Sequence, residues 1–173
     1  MQPRLQGPAG LVVPRDSIVV VDEIATCAGD DLNTGLGWVP AQLAEEIHLR
    51  CTRWNVRPRG CLDDARGLQG ETLIEVFRGM GIYFEKFAKG RLAGWAAVKG
   101  RMAAVRDDDP DQPWLLINGR ARYLAETLPL LQRDKIRPED LDTRGPDHGA
   151  DALAGAVTHR PQICRISRGA AIY

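Results

Sequence analysis

Two stretches of this 173-residue chain place acids where carboxylates can meet. In the run Asp147-His148-Gly149-Ala150-Asp151 the two aspartates are four residues apart, so on a helix they share a face. Ala150, Leu153, Ala154 and Val157 follow the i, i+3, i+4, i+7 repeat of a buried stripe, and the acids border it. Like charges at that spacing repel each other and gain nothing from packing. One account makes Asp147 an N-cap, with an acid-rich first turn favoured by the helix dipole, worth roughly 0.5–2 kcal/mol. The other gives the acids a site to build. The second stretch, Gly60-Cys61-Leu62-Asp63-Asp64-Ala65, ends an apolar strand on two acids. Strand carboxyl ends are the edge where α/β folds bind ligands. Hard oxygen donors gathered from a strand end and a helix start suit Mg²⁺ or Mn²⁺. With two such ions about 3.5–4 Å apart, one activates a water and the other stabilises the leaving oxygen of a phosphodiester. His148, next to Asp147, either ligates metal, orients a phosphate or is simply solvated.

Cations lie close by in sequence. Lys86, Lys89 and Arg91 bracket Gly90 at a strand-to-helix junction, and Arg57 and Arg59 precede the acidic strand. Their contacts to DNA would be to phosphates, blind to sequence and sensitive to salt; the alternative is a solvated charged face. Lys and Arg (23) balance Asp and Glu (23), so no whole-molecule field recruits nucleic acid and any such binding uses a local patch. Asp22 and Glu23 end a β-branched run, as solvent-side acids or as a further ligand. Trp38, Trp54, Trp95 and Trp114 read as core packing rather than base-stacking platforms. The four cysteines lack CxxC spacing and read as reduced packing residues. No apolar run is long enough to span a bilayer, so the expectation is a soluble intracellular protein with no membrane partner.

The elements that must position these groups alternate between strand and helix. A hairpin is expected across Pro14-Arg15-Asp16-Ser17, joining Leu11–Val13 to the run from Ile18. Pro40 opens a helix with Leu43, Ile47, Cys51 and Trp54 on one face. After the strand ending at Asp63, the spacing of Leu73, Val76, Phe77 and Met80 predicts a helix. A strand at residues 82–88 leads to a helix over 91–105 with Leu92, Trp95, Val98, Met102 and Val105 inward. Residues 113–117 form a strand, Leu124, Leu128 and Leu131 mark a helix, and a charged loop leads to the final helix. The expected fold is α/β, one mixed sheet flanked by helices on both faces. It forms a single domain over residues 1–173, with 1–10 and 160–173 as loosely ordered tails.

The blocks VVVDEIATC, NTGLGWVPAQLAEEI, RWNVRPRGCLDDA, GIYFEKFAKGRLAGW and RPEDLDTRGPDHGADALAGAV occur in an order that resembles the C-terminal nuclease domain of the large terminase subunits of tailed phages and prophages. The resemblance covers about residues 11–158. It implies an RNase H-like fold and a divalent-metal-dependent endonuclease that cuts concatemeric double-stranded DNA during packaging in the host cytoplasm. The small terminase subunit and the portal are the implied partners. By the same resemblance Asp63 and Asp147 are the catalytic acids. Asp64, His148 and Asp151 join them around two Mg²⁺ or Mn²⁺ ions, Asp151 either as a further ligand or as a helix-supporting acid. Lys86, Lys89 and Arg91 contact DNA. Two features depart from the family. The chain has no GxxxxGK[ST] phosphate loop, so no ATPase domain is expected in it. The aspartate-bearing first central strand has no counterpart before the hairpin, so the expected fold lacks that strand. The alternative function is a catalytically weak prophage remnant that keeps a DNA- or portal-docking role. Another RNase H-like nuclease, a resolvase or transposase, fits the NTGLGWVPAQLAEEI block less well.

Overall fold

The structure, a computed structural model, describes residues 5–6, 12–28, 31–63, 70–86 and 90–159. Its first strands are short. β1 (Leu5–Gln6) pairs antiparallel with β2 (Val12–Val13). β3 (Ile18–Val20) does not fold back on β2 as the expected hairpin. The Ile18 amide donates to the Trp114 carbonyl at 2.8 Å, and β3 pairs in parallel with β8 (Leu115–Ile117), almost a hundred residues on. The Pro14–Ser17 turn therefore redirects the chain instead of closing a ladder, with Asp16 at φ 61°. β4 (Cys27–Ala28) and β5 (Asp31–Gly35) form an antiparallel pair.

Pro40 starts α1 (Pro40–Arg53), where its missing N–H costs no hydrogen bond. Gln42 Oε1 accepts the Val39 amide, and Asn55 at φ 50° turns the chain out of the helix toward β6 (Arg59–Leu62). α2 (Leu73–Gly79) opens on a capping box in which Thr72 and Glu75 bond each other's amides. Gly81, at φ 77°, then delivers the fully buried Ile82 and β7 (Tyr83–Lys86), which runs parallel to β6. Ala44, Phe77 and Ile82 form a core beneath these elements, with Phe77 and Phe84 ring edge to ring face at 5.3 Å.

The larger core belongs to α3 (Arg91–Arg106), β8, α4 (Arg122–Thr127) and α5 (His148–Thr158). Trp95, Val98, Leu124, Ala150, Leu153 and Ala154 are its buried centre. The stripe expected on α5 is therefore the buried one. On α3 Trp95 and Val98 are buried as expected, but Leu92 and Met102 are exposed, and Gly94 and Ala104 are buried instead. Gly94 explains the difference. A Cβ there would stand 2.9 Å from the Ala154 Cβ, so the helices touch at their smallest residues. α5 also packs on α4 and on β6, and so joins the two cores.

The fold is mixed α/β, as expected. Its described strands, however, form four two-stranded pairs, two parallel and two antiparallel, rather than one continuous sheet. Of the four tryptophans only Trp95 and Trp114 belong to the core; Trp38 is exposed and Trp54 is half-buried. Among the described residues Cys27, Cys51 and Cys61 are unpaired, and no helix is long and apolar enough to cross a membrane.

Candidate functional site

The register of β6 on β7 sets the first half of the site. Leu62 lies opposite Lys86, so Asp63 and Lys86 both stand at the carboxyl end of this parallel pair. The packing of α5 on β6 supplies the second half. Between them opens a cleft of about 520 Å³ whose wall includes Asp63, Arg91, His148 and Asp151, together with Cys61 and Thr158. Four of the residues singled out from the sequence thus share one concavity, although 88 positions separate Asp63 from Asp151. Lys86 is exposed at the end of β7, opposite Leu62, and does not line the cleft. Asp64 and Lys89 lie outside the described residues.

Asp147 does not line this cleft. Its side chain is only 8% exposed and accepts a hydrogen bond of 3.0 Å from Arg91 Nη2. It stands at the N-cap position of α5, yet makes no side-chain bond to the helix amides. The capping account is therefore replaced by an ion pair across to α3. Arg91 is shared further: its Nε is 3.0 Å from Asp140 and 3.6 Å from Asp151. Neither contact is aligned as a hydrogen bond, and among the described residues the buried Asp151 Oδ1 has no hydrogen-bond partner. Three carboxylates thus crowd one guanidinium. Burial pushes the Asp151 carboxyl above its ordinary value of 3.8; Arg91 pulls it down, while Asp147 and Asp140 push it further up. Asp140 was not distinguished in the sequence, where it is one of many acids in a charged loop. The only signal for it is that this loop leads directly into Asp147.

A second cleft, of about 570 Å³, lies on the other side of the α5 start and shares His148 with the first. Glu23 and Tyr123 line it, but Glu23 is not a solvent-side acid. Its carboxylate accepts the amides of Tyr123 and Leu124 at 2.8 and 3.0 Å and so caps the first turn of α4 from a distant strand end. Burial raises its carboxyl above the ordinary 4.5 despite those bonds, and Glu126 and Asp22 add to the rise. Asp22 is bound too, to the Trp54 indole N–H at 3.0 Å and to Arg53 at 3.3 Å, with Arg50 3.8 Å away. Burial opposes its ionisation, but the Trp54 bond, the Glu23 amide and the two arginines together hold its carboxyl below the usual value. Both acids are committed to the fold, and neither reaches the Asp63 cleft. Arg57 and Arg59 also lie elsewhere, with Arg78 on the wall of a third cleft beside the start of β6.

The donors facing the Asp63 cleft, two carboxylates with an imidazole at the rim, are of the hard type that suits Mg²⁺ or Mn²⁺. Among the described residues no three His, Cys, Asp or Glu side chains already stand close enough together to hold an ion. The arrangement is that of a mixed α/β protein with an acidic cleft at a strand end, flanked by cations. Comparison of the chain with protein-family models, with curated proteins and with solved structures returned no match.

Proposed function

We propose that the chain is a metal-dependent DNA endonuclease of the terminase type, RNase H-like in fold, which cuts concatemeric phage DNA during packaging. One observation supports this reading: the acid at the end of β6 and the acids at the start of α5 were singled out separately in the sequence, and Asp63, His148 and Asp151 line the same cleft. Asp63 and Asp151 are the residues to hold a divalent ion, with His148 at the rim to assist or to orient a phosphate. Bound there, the ion supplies a Lewis acid and a route to a nucleophilic water at neutral pH. The chain's own cations act on the substrate. Arg91 on the wall and Lys86 at the end of β7 neutralise backbone phosphates and hold the duplex against the acids without reading its sequence. The small terminase subunit and the portal are the proposed protein partners, on the strength of the sequence resemblance.

Nicking of supercoiled plasmid by the purified chain tests the reading, with Mn²⁺, with Mg²⁺ and with EDTA, beside an Asp63→Ala variant. Nicking that needs the metal and drops at least ~100-fold in the variant is expected, since positioning and charge stabilisation both fail without the strand-end acid. A folded protein that leaves plasmid intact under every condition contradicts the proposal, and a docking role without cutting would take its place.

A further inference from the structure

Among the acids around this cleft, Asp147 stands apart. By sequence resemblance it belongs with the metal ligands, but in the fold it is nearly buried, is absent from the cleft wall and faces Arg91. We infer that Asp147, together with Asp140, positions the Arg91 guanidinium at the cleft rather than holding a metal, and that Arg91 so fixed grips a DNA phosphate. The inference rests on the nuclease reading above and assigns a division of labour within it. Asp63 and Asp151 serve the metal, and Asp140, Asp147 and Arg91 serve the phosphate.

The geometry argues for this in three ways. First, Asp147 accepts a hydrogen bond from Arg91 Nη2, and Asp140 stands 3.0 Å from Nε as an ion pair without an aligned hydrogen bond, so one carboxylate is bonded to the guanidinium and a second flanks its other side. A guanidinium held in place loses less rotamer entropy when it engages a phosphate. Second, Arg91 is the first residue of α3, and both Gly90 and Arg91 line the cleft. The helix thus enters beside the pocket, and its rigid axis carries Arg91 as part of the α3–α5 contact at Gly94. Third, Asp151 is the member of the acidic group that combines a place on the cleft wall with an oxygen lacking a hydrogen bond among the described residues. Both acids pair with Arg91, but Asp147 accepts an aligned hydrogen bond at 3.0 Å, whereas Asp151 lies 3.6 Å from Nε without one and keeps an oxygen for a further cation.

Two measurements on the full chain separate the roles. Calorimetric titration with Mn²⁺ alone reads the metal site. Fluorescence anisotropy of a short duplex in EDTA, over a range of salt, reads the phosphate grip. Asp147→Asn is expected to leave the Mn²⁺ Kd within about twofold while Asp151→Asn weakens it at least tenfold. Asp147→Asn and Arg91→Gln are each expected to weaken DNA binding by roughly three- to tenfold, and their double variant to be no weaker than Arg91→Gln alone, because the aspartate acts through the arginine. The salt slope should fall by about one in Arg91→Gln. Asp140→Asn, at a less buried position, should lower DNA affinity in the same direction with Mn²⁺ binding intact; it keeps the test open if Asp147→Asn fails to fold. Loss of Mn²⁺ binding in Asp147→Asn to the extent seen in Asp151→Asn would overturn the assignment and make Asp147 a ligand. Unchanged DNA affinity in both aspartate variants, with a loss in Arg91→Gln, would also overturn it and leave the nuclease reading standing. A wild-type chain that binds neither Mn²⁺ nor DNA would overturn both.

Discussion

Asp151 is held in a conflict that a metal would resolve. One of its oxygens is buried without a hydrogen bond among the described residues, its nearest cation is misaligned, and two further aspartates press on the same arginine. Burial, the largest influence, favours its protonated form, so its folded-state pKa lies above 3.8. A carboxyl raised in this way favours the fold fully only below its unfolded value, and the contribution is lost as pH rises through the folded value. Asp151→Asn should therefore melt at a higher temperature than wild type at pH 7 in EDTA. The gap should close as pH falls toward 3.8, a difference readable by circular dichroism. Added Mn²⁺ should raise the wild-type melting temperature and leave the variant where it was. With the proposed ion bound there, the site gives up stability in the metal-free state for function. Glu23 is the opposite case: its unfavourable burial is offset by two amide bonds, and Glu23→Ala, which strands those amides, should cost about 1–2 kcal/mol in a urea melt.

The close seam between α3 and α5 fixes how the elements bring the site together. Two glycines of α3 test this against each other. At Gly100 an added Cβ meets nothing within 4 Å, so Gly100→Ala should stabilise by roughly 0.5–1 kcal/mol through backbone entropy alone. At Gly94 the same methyl would stand 2.9 Å from the Ala154 Cβ and 3.2 Å from its carbonyl oxygen. That substitution should instead destabilise by about 1–3 kcal/mol and, by pushing α5 away, loosen the Arg91–Asp147 pair. Equal effects of the two changes in denaturant titrations would contradict the seam. The helices and strands were largely legible in the sequence because their periodicity is local: the α5 stripe, the Leu73–Met80 spacing and the start at Pro40 each declare themselves within a turn or two. The α3 face was read correctly at Trp95 and Val98 and misread at Leu92 and Met102, because hydrophobicity favours those two, whereas the packing is decided by the space that Gly94 leaves for Ala154. The expected hairpin failed because strand pairing depends on a partner far along the chain, and nothing in Pro14–Ser17 reveals that Trp114 will claim the Ile18 amide.

At the scale of the whole molecule, two cores meet at α5, and the cleft opens where its start passes the carboxyl end of β6. The sequence paired Asp63 first with Asp147; that Asp151 instead shares a cleft with Asp63 fits the general adjacency of strand carboxyl ends and helix starts in α/β folds. The diversion of Asp147 to Arg91 was not legible, since a lone arginine after a glycine looks like any solvated helix start. A chain of zero net charge holds DNA only locally. With Lys86, Lys89 and Arg91 as the contacts, the logarithm of the binding constant should fall with the logarithm of salt at a slope of about −2 to −3, as read by anisotropy. A slope near zero would exclude phosphate contacts at this patch, and one much steeper would require cations beyond it. The central claim, that β6 and α5 build one metal site, is most directly tested by a double-mutant cycle on Mn²⁺ affinity with Asp63→Asn and Asp151→Asn. The account predicts that each single variant weakens Mn²⁺ binding at least tenfold and that the double variant is scarcely weaker than either. Either single variant binding Mn²⁺ like wild type, or losses that simply add, would mean that the two acids do not share an ion.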